Sequence, residues 1–412
     1  MKNYIAHTDN IRKEMLNSIH LESIEDLFQQ IPAKFDDFKL ESSLSEMETQ
    51  KRIKAIAKKN KTEYINFLGG GVYNKFIPAG VNYIAQRFEF LTAYTPYQPE
   101  ISQGTLQIIY EYQTMISRIT GMDIANASMY DGGSACAEAI LMAHRISKGK
   151  KNKAYVSTKL NPEYKEVIKT YAWAQGIEIV WFDEIPSDVT NAFCVLVQYP
   201  DFYGEVTILN KPDAIFIVCA NLSALSVIKP PSEADIVVGD IQSLGVPMNF
   251  GGPHAGYMAC KEAYMRQIPG RLVGRTVDAD GQQAFTLTIQ TREQHIKREK
   301  ATSNICSNQS LVALCATLYL SLIGENGFRQ SGIISTNNAH TLSNMLKNKG
   351  IKILNKNFYN EFVIEVADSD IFLGKLKAKN ILGGIKLDSK RILVCTTEMN
   401  SEDDILEYVY VC

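Results

Sequence analysis

An excess of charge of either sign is missing from this chain: 43 lysines and arginines stand against 45 aspartates and glutamates, for a formal net charge of −2. Domains that grip nucleic acid or an anionic membrane carry a basic patch or stripe. The one dense basic run, KRIKAIAKKNK at 51–61, mixes its cations with apolar residues as the solvated face of a helix does. No CxxC pair occurs among the eight cysteines at 136, 194, 219, 260, 306, 315, 395 and 412. Zinc sites need clustered ligands at short spacing, so the expectation is free thiols in a reducing compartment and no metal. No apolar core follows the N-terminal MKNYIAHTDNIRKEML, and no uninterrupted apolar run approaches the length of a membrane span. A soluble, cytoplasmic protein is expected. No GxGxxG follows a first strand, which argues against a dinucleotide-binding dehydrogenase. Finally, no lysine lies between Lys229 and Lys261. The strand ending at Asp240 therefore meets its loop without an amine.

What is present suffices for a large core: 412 residues, 45% of them hydrophobic. At about 100–200 residues per domain, that length suggests two or three. Residues 1–60 are polar and helix-patterned, notably Ser23 to Phe28 and Ser43 to Asn60, and read as an arm. Residues 61–100 are rich in Gly, Pro and aromatics, as ordered loops are. An amphipathic helix is predicted over Gln103 to Thr120, stopped by Gly121. From 153 the chain alternates: strand KAYVS, a helix over 162–175 with Pro162 in its first turn, then the apolar runs IEIVWF, FCVLVQY, AIFIVCA, ADIVVGD and GYMAC. Runs of this kind form mostly parallel sheets covered on both faces. A long apolar helix is predicted from Ser307 to Ile323, ending at Gly324. A helix over 330–348, strand EFVIEV, helix DIFLGKLKAKN, strand RILVCTT and helix EDDILEYVYV then make a small α/β domain. The expected organisation is an arm (1–60), a large α/β domain (61–325) and a small C-terminal α/β domain (326–412).

Glycines opening a helix can cradle phosphate, because free N–H groups and the helix dipole converge there. Gly132-Gly133-Ser134 is the local candidate, and Asp131 speaks against it. A carboxylate about 4 Å from a phosphate costs roughly 4 kcal/mol per charge pair at an effective dielectric near 20. An N-cap role for Asp131 or Ser134 explains the same residues.

Four stretches taken together resemble the glycine decarboxylase (P-protein) family of the glycine cleavage system: FLGGGVYNKFIPAGV, FLTAYTPYQPEISQGTLQIIYEYQTMISRITGMDIANASMYDGGSACAEA, GDIQSLGVPMNFGGPHAGYMAC and GRTVDADGQQAFTLTIQTREQHIKREKATSNICSNQ. More narrowly they are similar to its N-terminal, or alpha, subunits, found where the enzyme is split into two chains. The likeness runs over residues 1–325 and is weaker beyond. It implies the α/β fold of the aspartate-aminotransferase-like, fold type I pyridoxal-phosphate enzymes.

In that class a lysine holds the cofactor as an imine, and an aspartate keeps the pyridinium nitrogen protonated. The family's beta subunits carry Asp-Gly-Ala-Asn-Leu and Asn-x-His-Lys-Thr strings at these places. Here the corresponding strings are Val218-Cys219-Ala220-Asn221-Leu222 and Asp240-Ile241-Gln242-Ser243-Leu244. Val218 thus replaces the aspartate and Ser243 the lysine. The resemblance implies a chain with no cofactor of its own, paired with a beta subunit carrying pyridoxal phosphate, usually as a heterotetramer. It also implies the reaction: glycine loses CO₂, and the remaining aminomethyl carbanion attacks the oxidised lipoyl disulfide of the H protein, reducing it. Lipoamide is then a co-substrate and H protein a second partner.

Residues of this chain that could complete the partner's site are Tyr94, Thr95, Tyr97 and Gln98, on a loop that Pro96 and Pro99 would stiffen. Tyr and Gln place donors where water is partly excluded, although packed tyrosines with satisfied hydroxyls are the simpler reading. His254 could face the partner's cofactor or the substrate, or be structural. Ser303 and Asn304 could cap the following helix or face the partner. Arg292, Arg298 and Lys300 read as surface or interface ion pairs, and one of them could instead orient an anionic ligand. A non-catalytic scaffold derived from the same fold is the alternative.

Overall fold

The computed structural model describes residues 7–31, 40–91, 95–305 and 308–412. The chain falls into two units, Met1–Thr62 and Glu63–Cys412. The first contains the helix Asp9–Ser18, capped by Thr8, and the helix Glu46–Ala57, whose Ser45 and Glu48 form a reciprocal capping box. Neither helix buries a residue. Their caps and local propensity therefore shape them, rather than a core.

The second unit is built on a seven-stranded sheet. Its order is Ile124–Ala125, Gly256–Cys260, Ile236–Asp240, Ile215–Ala220, Ala192–Tyr199, Lys153–Ser157, Glu178–Phe182. The last five are mutually parallel, while Gly256–Cys260 runs antiparallel to both its neighbours. Alternate side chains of each strand enter opposite cores. Phe216, Val218 and Ala220 join Val195, Val197 and Val237 on one face; Ile217 and Cys219 join Cys194, Leu196, Ile236 and Val238 on the other. The first face is covered by the helix Gln103–Thr120, through Tyr112 and Ile116, and by the start of a long helix, through Val312, Ala316 and Tyr319. The helices Gly132–Ile146 and Pro162–Gln175 cover the second. Burial on both faces is why these strands read as continuous apolar runs.

The long helix breaks at Gly324, as expected, and helical residues resume beyond the kink to Asn348. It spans Ser310–Asn348, with Gly324 as a break at φ 61° and ψ −176°. By length and composition this helix could cross a membrane. Its two halves instead supply two cores: Ala339, Leu342 and Leu346 pack on a second, four-stranded antiparallel sheet ordered Lys352–Ile353, Glu361–Glu365, Arg391–Cys395, Ile385–Lys386. A hairpin not anticipated from the sequence, Leu272–Val277 paired with Gln283–Thr288, packs through Val273, Phe285 and Leu287 against Leu106 and Ile109 of the Gln103–Thr120 helix.

Candidate functional site

The parallel strands Ile215–Ala220 and Ile236–Asp240 end side by side, with Val218 in register with Val237. Val218 is fully buried among the aliphatic residues of the first core. Ser243 is buried in the turn after Asp240. Between the two strand ends is a cavity of only about 40 Å³, whose lining includes Tyr164, Cys219, Asp240, Gln242 and Ser243. Gln242 is the main bolt of this corner. Its Oε1 accepts the Tyr73 N–H (2.8 Å), and its Nε2 donates to the carbonyls of Tyr73 (2.9 Å) and Val246 (2.9 Å). The loop at Gly69 to Tyr73 is held from the other side by Glu361 of the small sheet, which accepts from Gly70 N–H (2.6 Å) and from Tyr73 O–H (2.7 Å).

The glycine turn opening the Gly132–Ile146 helix is closed in the same way. Asp131 caps it, accepting the Ser134 N–H at 2.7 Å, with Ser134 returning a bond to the Asp131 N–H. Asp240 accepts the Gly132 N–H at 3.3 Å. Tyr164 closes over the turn: a Cβ built on Gly132 would lie 2.3 Å from its hydroxyl. Burial pushes Asp240 up to about 6, against the pull of the Gln242 N–H and the His254 ring. His254 belongs to this corner; it is half-buried, with Nε2 3.3 Å from the Met248 carbonyl.

The loop holding Thr95, Tyr97 and Gln98 lies in another setting; Tyr94 falls outside the described residues. The loop is fastened by Gln103, whose amide donates to Pro99 O (2.7 Å) and Phe285 O (2.9 Å) and accepts from Phe285 N–H (2.8 Å). Tyr97 N–H bonds Thr95 O at 2.9 Å, Pro96 is buried, and Gln98 precedes the short turn Pro99–Ile101. The Tyr97 ring, 49% exposed, stands edge-on to His295 at 5.8 Å, with the Arg271 guanidinium 5.6 Å over its face. The Thr95 hydroxyl is buried and has no hydrogen-bond partner among the described residues.

Three comparisons identify what these features belong to. The sequence profile of the family described as glycine cleavage system P-protein matches residues 2–412. The chain belongs to that family. A relative from Geobacillus kaustophilus, called probable glycine dehydrogenase (decarboxylating) subunit 1, is 44% identical over 98% of this chain and 97% of its own. The protein of that name from Desulforamulus reducens is also 44% identical, at the same coverage. A crystal structure of glycine decarboxylase (P-protein) of the glycine cleavage system, in inhibitor-bound form, superposes with a TM-score of 0.87 at 38% identity, covering 99% of both chains. A sphingosine-1-phosphate lyase of Burkholderia pseudomallei, at 11% identity and TM-score 0.63 over 93% of this chain and 92% of its own, shares the fold alone. That fold is the fold type I architecture of pyridoxal-phosphate enzymes.

P-protein chemistry runs on pyridoxal phosphate, and the corner of this chain does not fit that group. Ligand pockets typically enclose roughly 300–1,000 Å³, whereas about 40 Å³ has room for only a few water molecules. Ser243 has no amine, and Val218 has no carboxylate to protonate a pyridinium. The turn that would hold a phosphate is met by two carboxylates and a tyrosine ring. Asp240 and Gln242 were missed as functional residues by the sequence reading, though they stand where the beta-type string has Asn and His, which was the available signal.

Other expectations shift with the geometry. Ser303 and Asn304 do not cap the long helix, whose N-cap is Gln309. Ser303 Oγ instead accepts the Ile305 N–H at 3.1 Å, and both residues line a cavity of about 610 Å³ with Glu138 and Arg145. Burial raises the Glu138 carboxyl above its ordinary range and lowers the Arg145 guanidinium. Arg292 is no surface ion pair: it is buried, and donates to the carbonyls of Ile268 and Gly270 (the latter 2.6 Å). Arg298 and Lys300 are exposed. Arg271, buried behind Tyr97, was not singled out at all.

Proposed function

We propose that this chain is the subunit of glycine decarboxylase that carries no cofactor and completes the active site of a companion subunit. The companion, the beta subunit, would bind pyridoxal phosphate, which supplies the electron sink for loss of CO₂ from glycine. The aminomethyl group would pass to the lipoyl arm of H protein, and the assembly would be a cytoplasmic heterotetramer. What carries the reading is the filled corner in a member of the P-protein family: the fold is retained while its own cofactor seat is packed with protein. This chain's part is to bind, orient and exclude water. The Thr95 hydroxyl and the half-exposed Tyr97, on a loop stiffened by Pro96 and clamped by Gln103, are suited to that, as are Gln98 and the unplaced Tyr94. Ser303 and Asn304 offer a second edge beside their cavity. His254, turned to Asp240, contributes through the packing of the corner.

Glycine-dependent CO₂ exchange, with a lipoylated carrier and pyridoxal phosphate, tests this with the chain alone, the companion alone and the two mixed. Activity is expected only in the mixture. Turnover by this chain alone would contradict the filled corner. A mixture that forms a complex but stays inactive would favour a scaffold.

A further inference from the structure

Three arginines surround the segment from Gln267 to Arg271, and two of them are settled. Arg145 donates to Gln267 O at 3.2 Å and interacts with the Glu138 carboxylate; Arg292 donates to Ile268 O and Gly270 O and interacts with Glu293. Arg271 is held more weakly than either. It is 3% exposed, yet among the described residues the one hydrogen bond of its side chain is a long one, 3.4 Å to the neutral amide of Asn308. Among the described residues its Nε is buried without a partner, as are those of Arg145 and Arg292, and no carboxylate lies within ion-pair distance of it. A guanidinium presents several donors in a rigid fork that matches carboxylate and phosphate oxygens. Burying such a charge without a counter-charge is costly, and buried arginines are ordinarily paired.

The face of Tyr97 gives partial compensation, since a cation over an aromatic ring contributes about 0.5–2 kcal/mol. That contact also ties the cation to the loop already assigned to the shared site. The same loop holds a second unsatisfied group, the Thr95 hydroxyl, bonded through its carbonyl to the Tyr97 N–H. Two unmatched polar groups are thus linked through Tyr97, one by its backbone and one by its ring.

We propose that Arg271, backed by the Tyr97 ring, whose loop also carries Thr95, is an oxyanion seat, taking either the carboxylate of glycine or the phosphate of the companion's cofactor. This rests on the reading above that the surface completes a companion's site. The chemistry is shared by the two sources: a planar cation meets two oxygens of one anion, with no bond made or broken.

The test uses the assembled complex with Arg271→Gln and Arg271→Lys. Glycine and methylamine affinities are read from the absorbance of the bound cofactor, and cofactor retention from its absorbance after gel filtration. If the seat takes glycine's carboxylate, Arg271→Gln weakens glycine by about ten- to a hundredfold and leaves methylamine, which lacks the carboxylate, unchanged. If it takes the phosphate, cofactor is lost on gel filtration and glycine binds normally once cofactor is saturating. Arg271→Lys keeps the charge without the fork, so it should lie between; it also carries the comparison if Arg271→Gln fails to assemble. Glycine affinity, methylamine affinity and cofactor retention all within about twofold of wild type would overturn the assignment. A wild-type complex with no response to glycine would instead overturn the shared-site reading on which it stands.

Discussion

The corner around Ser243 was expected to have lost its cofactor and the loop around Tyr97 to serve a companion's site, and the chain treats their polar groups differently. In the corner, Gln242 makes three bonds to backbone, Asp240 and Asp131 take up the N–H groups of a helix start, and Glu361 receives both Gly70 and Tyr73. Around Tyr97, the Thr95 hydroxyl and the Arg271 Nε are buried and unmet. A site that has lost its ligand gains stability by satisfying its own polar groups. A site still awaiting a partner cannot, because whatever closes it internally would compete with the ligand. The buried Tyr112 hydroxyl near Asp240 is unmet too, so the contrast is one of degree, and it supports the roles proposed for the two regions.

The strongest way to break the comparison is to unbolt the corner. Gln242→Leu would leave the Tyr73 N–H and the carbonyls of Tyr73 and Val246 buried without partners. At about 1–3 kcal/mol for each group, a loss of about 3–5 kcal/mol is expected, measured by urea unfolding of the chain. A loss under about 1 kcal/mol would mean that water already serves these groups and the corner is not closed.

A second, smaller effect depends on pH. Burial pushes Glu361 up to about 7, against the pull of the Gly70 N–H and the Tyr73 O–H, from an ordinary value of 4.5. Between these values the folded chain binds more protons than the unfolded chain. Stability therefore falls as pH rises through that window and levels off above it. Glu361→Gln fixes the neutral form and removes this contribution. Relative to wild type, the variant should gain on the order of 2–3 kcal/mol between about pH 4.5 and about pH 8, with a residual fall from Asp240 and Asp201, each raised to about 6. Parallel stability profiles for the two proteins would show that Glu361 is not the buried acid it looks to be.

Much of the fold was legible because burial on both faces leaves a plain signal. The runs at 153–157 and 256–260 became strands at those limits, and the Gln103–Thr120 helix ends at Gly121, which takes φ 71°. The hairpin Leu272–Val277 and Gln283–Thr288 was overlooked because only one face is buried and charged residues interrupt it, although Asp278-Ala279-Asp280-Gly281 is a turn signal. The break at Gly324 was legible, since glycine readily takes the positive φ that ends a helical run. For the corner, the missing lysine and aspartate were visible, and Asp131 as cap was weighed correctly. The filling was not visible, because Tyr164 and Gln242 meet the cavity from distant parts of the chain. Arg271 carried no local signal, since an unpaired charge is a property of its surroundings.

The smallest effect in energy is the sharpest test of the difference between the regions. Thr95→Val replaces a buried hydroxyl that has no partner by a methyl group of similar shape. Removing an unsatisfied polar group of this kind is neutral or stabilising. The isolated chain should therefore unfold at the same urea concentration as wild type or gain up to about 1 kcal/mol. In the mixture with its companion, the hydroxyl should have an acceptor, and glycine-dependent exchange should fall by about tenfold in kcat/KM, the cost of one hydrogen bond of about 1.4 kcal/mol. Stability unchanged and activity lost would mark Thr95 as a group kept for a ligand. If stability falls by more than about 1 kcal/mol, the hydroxyl has a partner within this chain, and the surface resembles the corner after all.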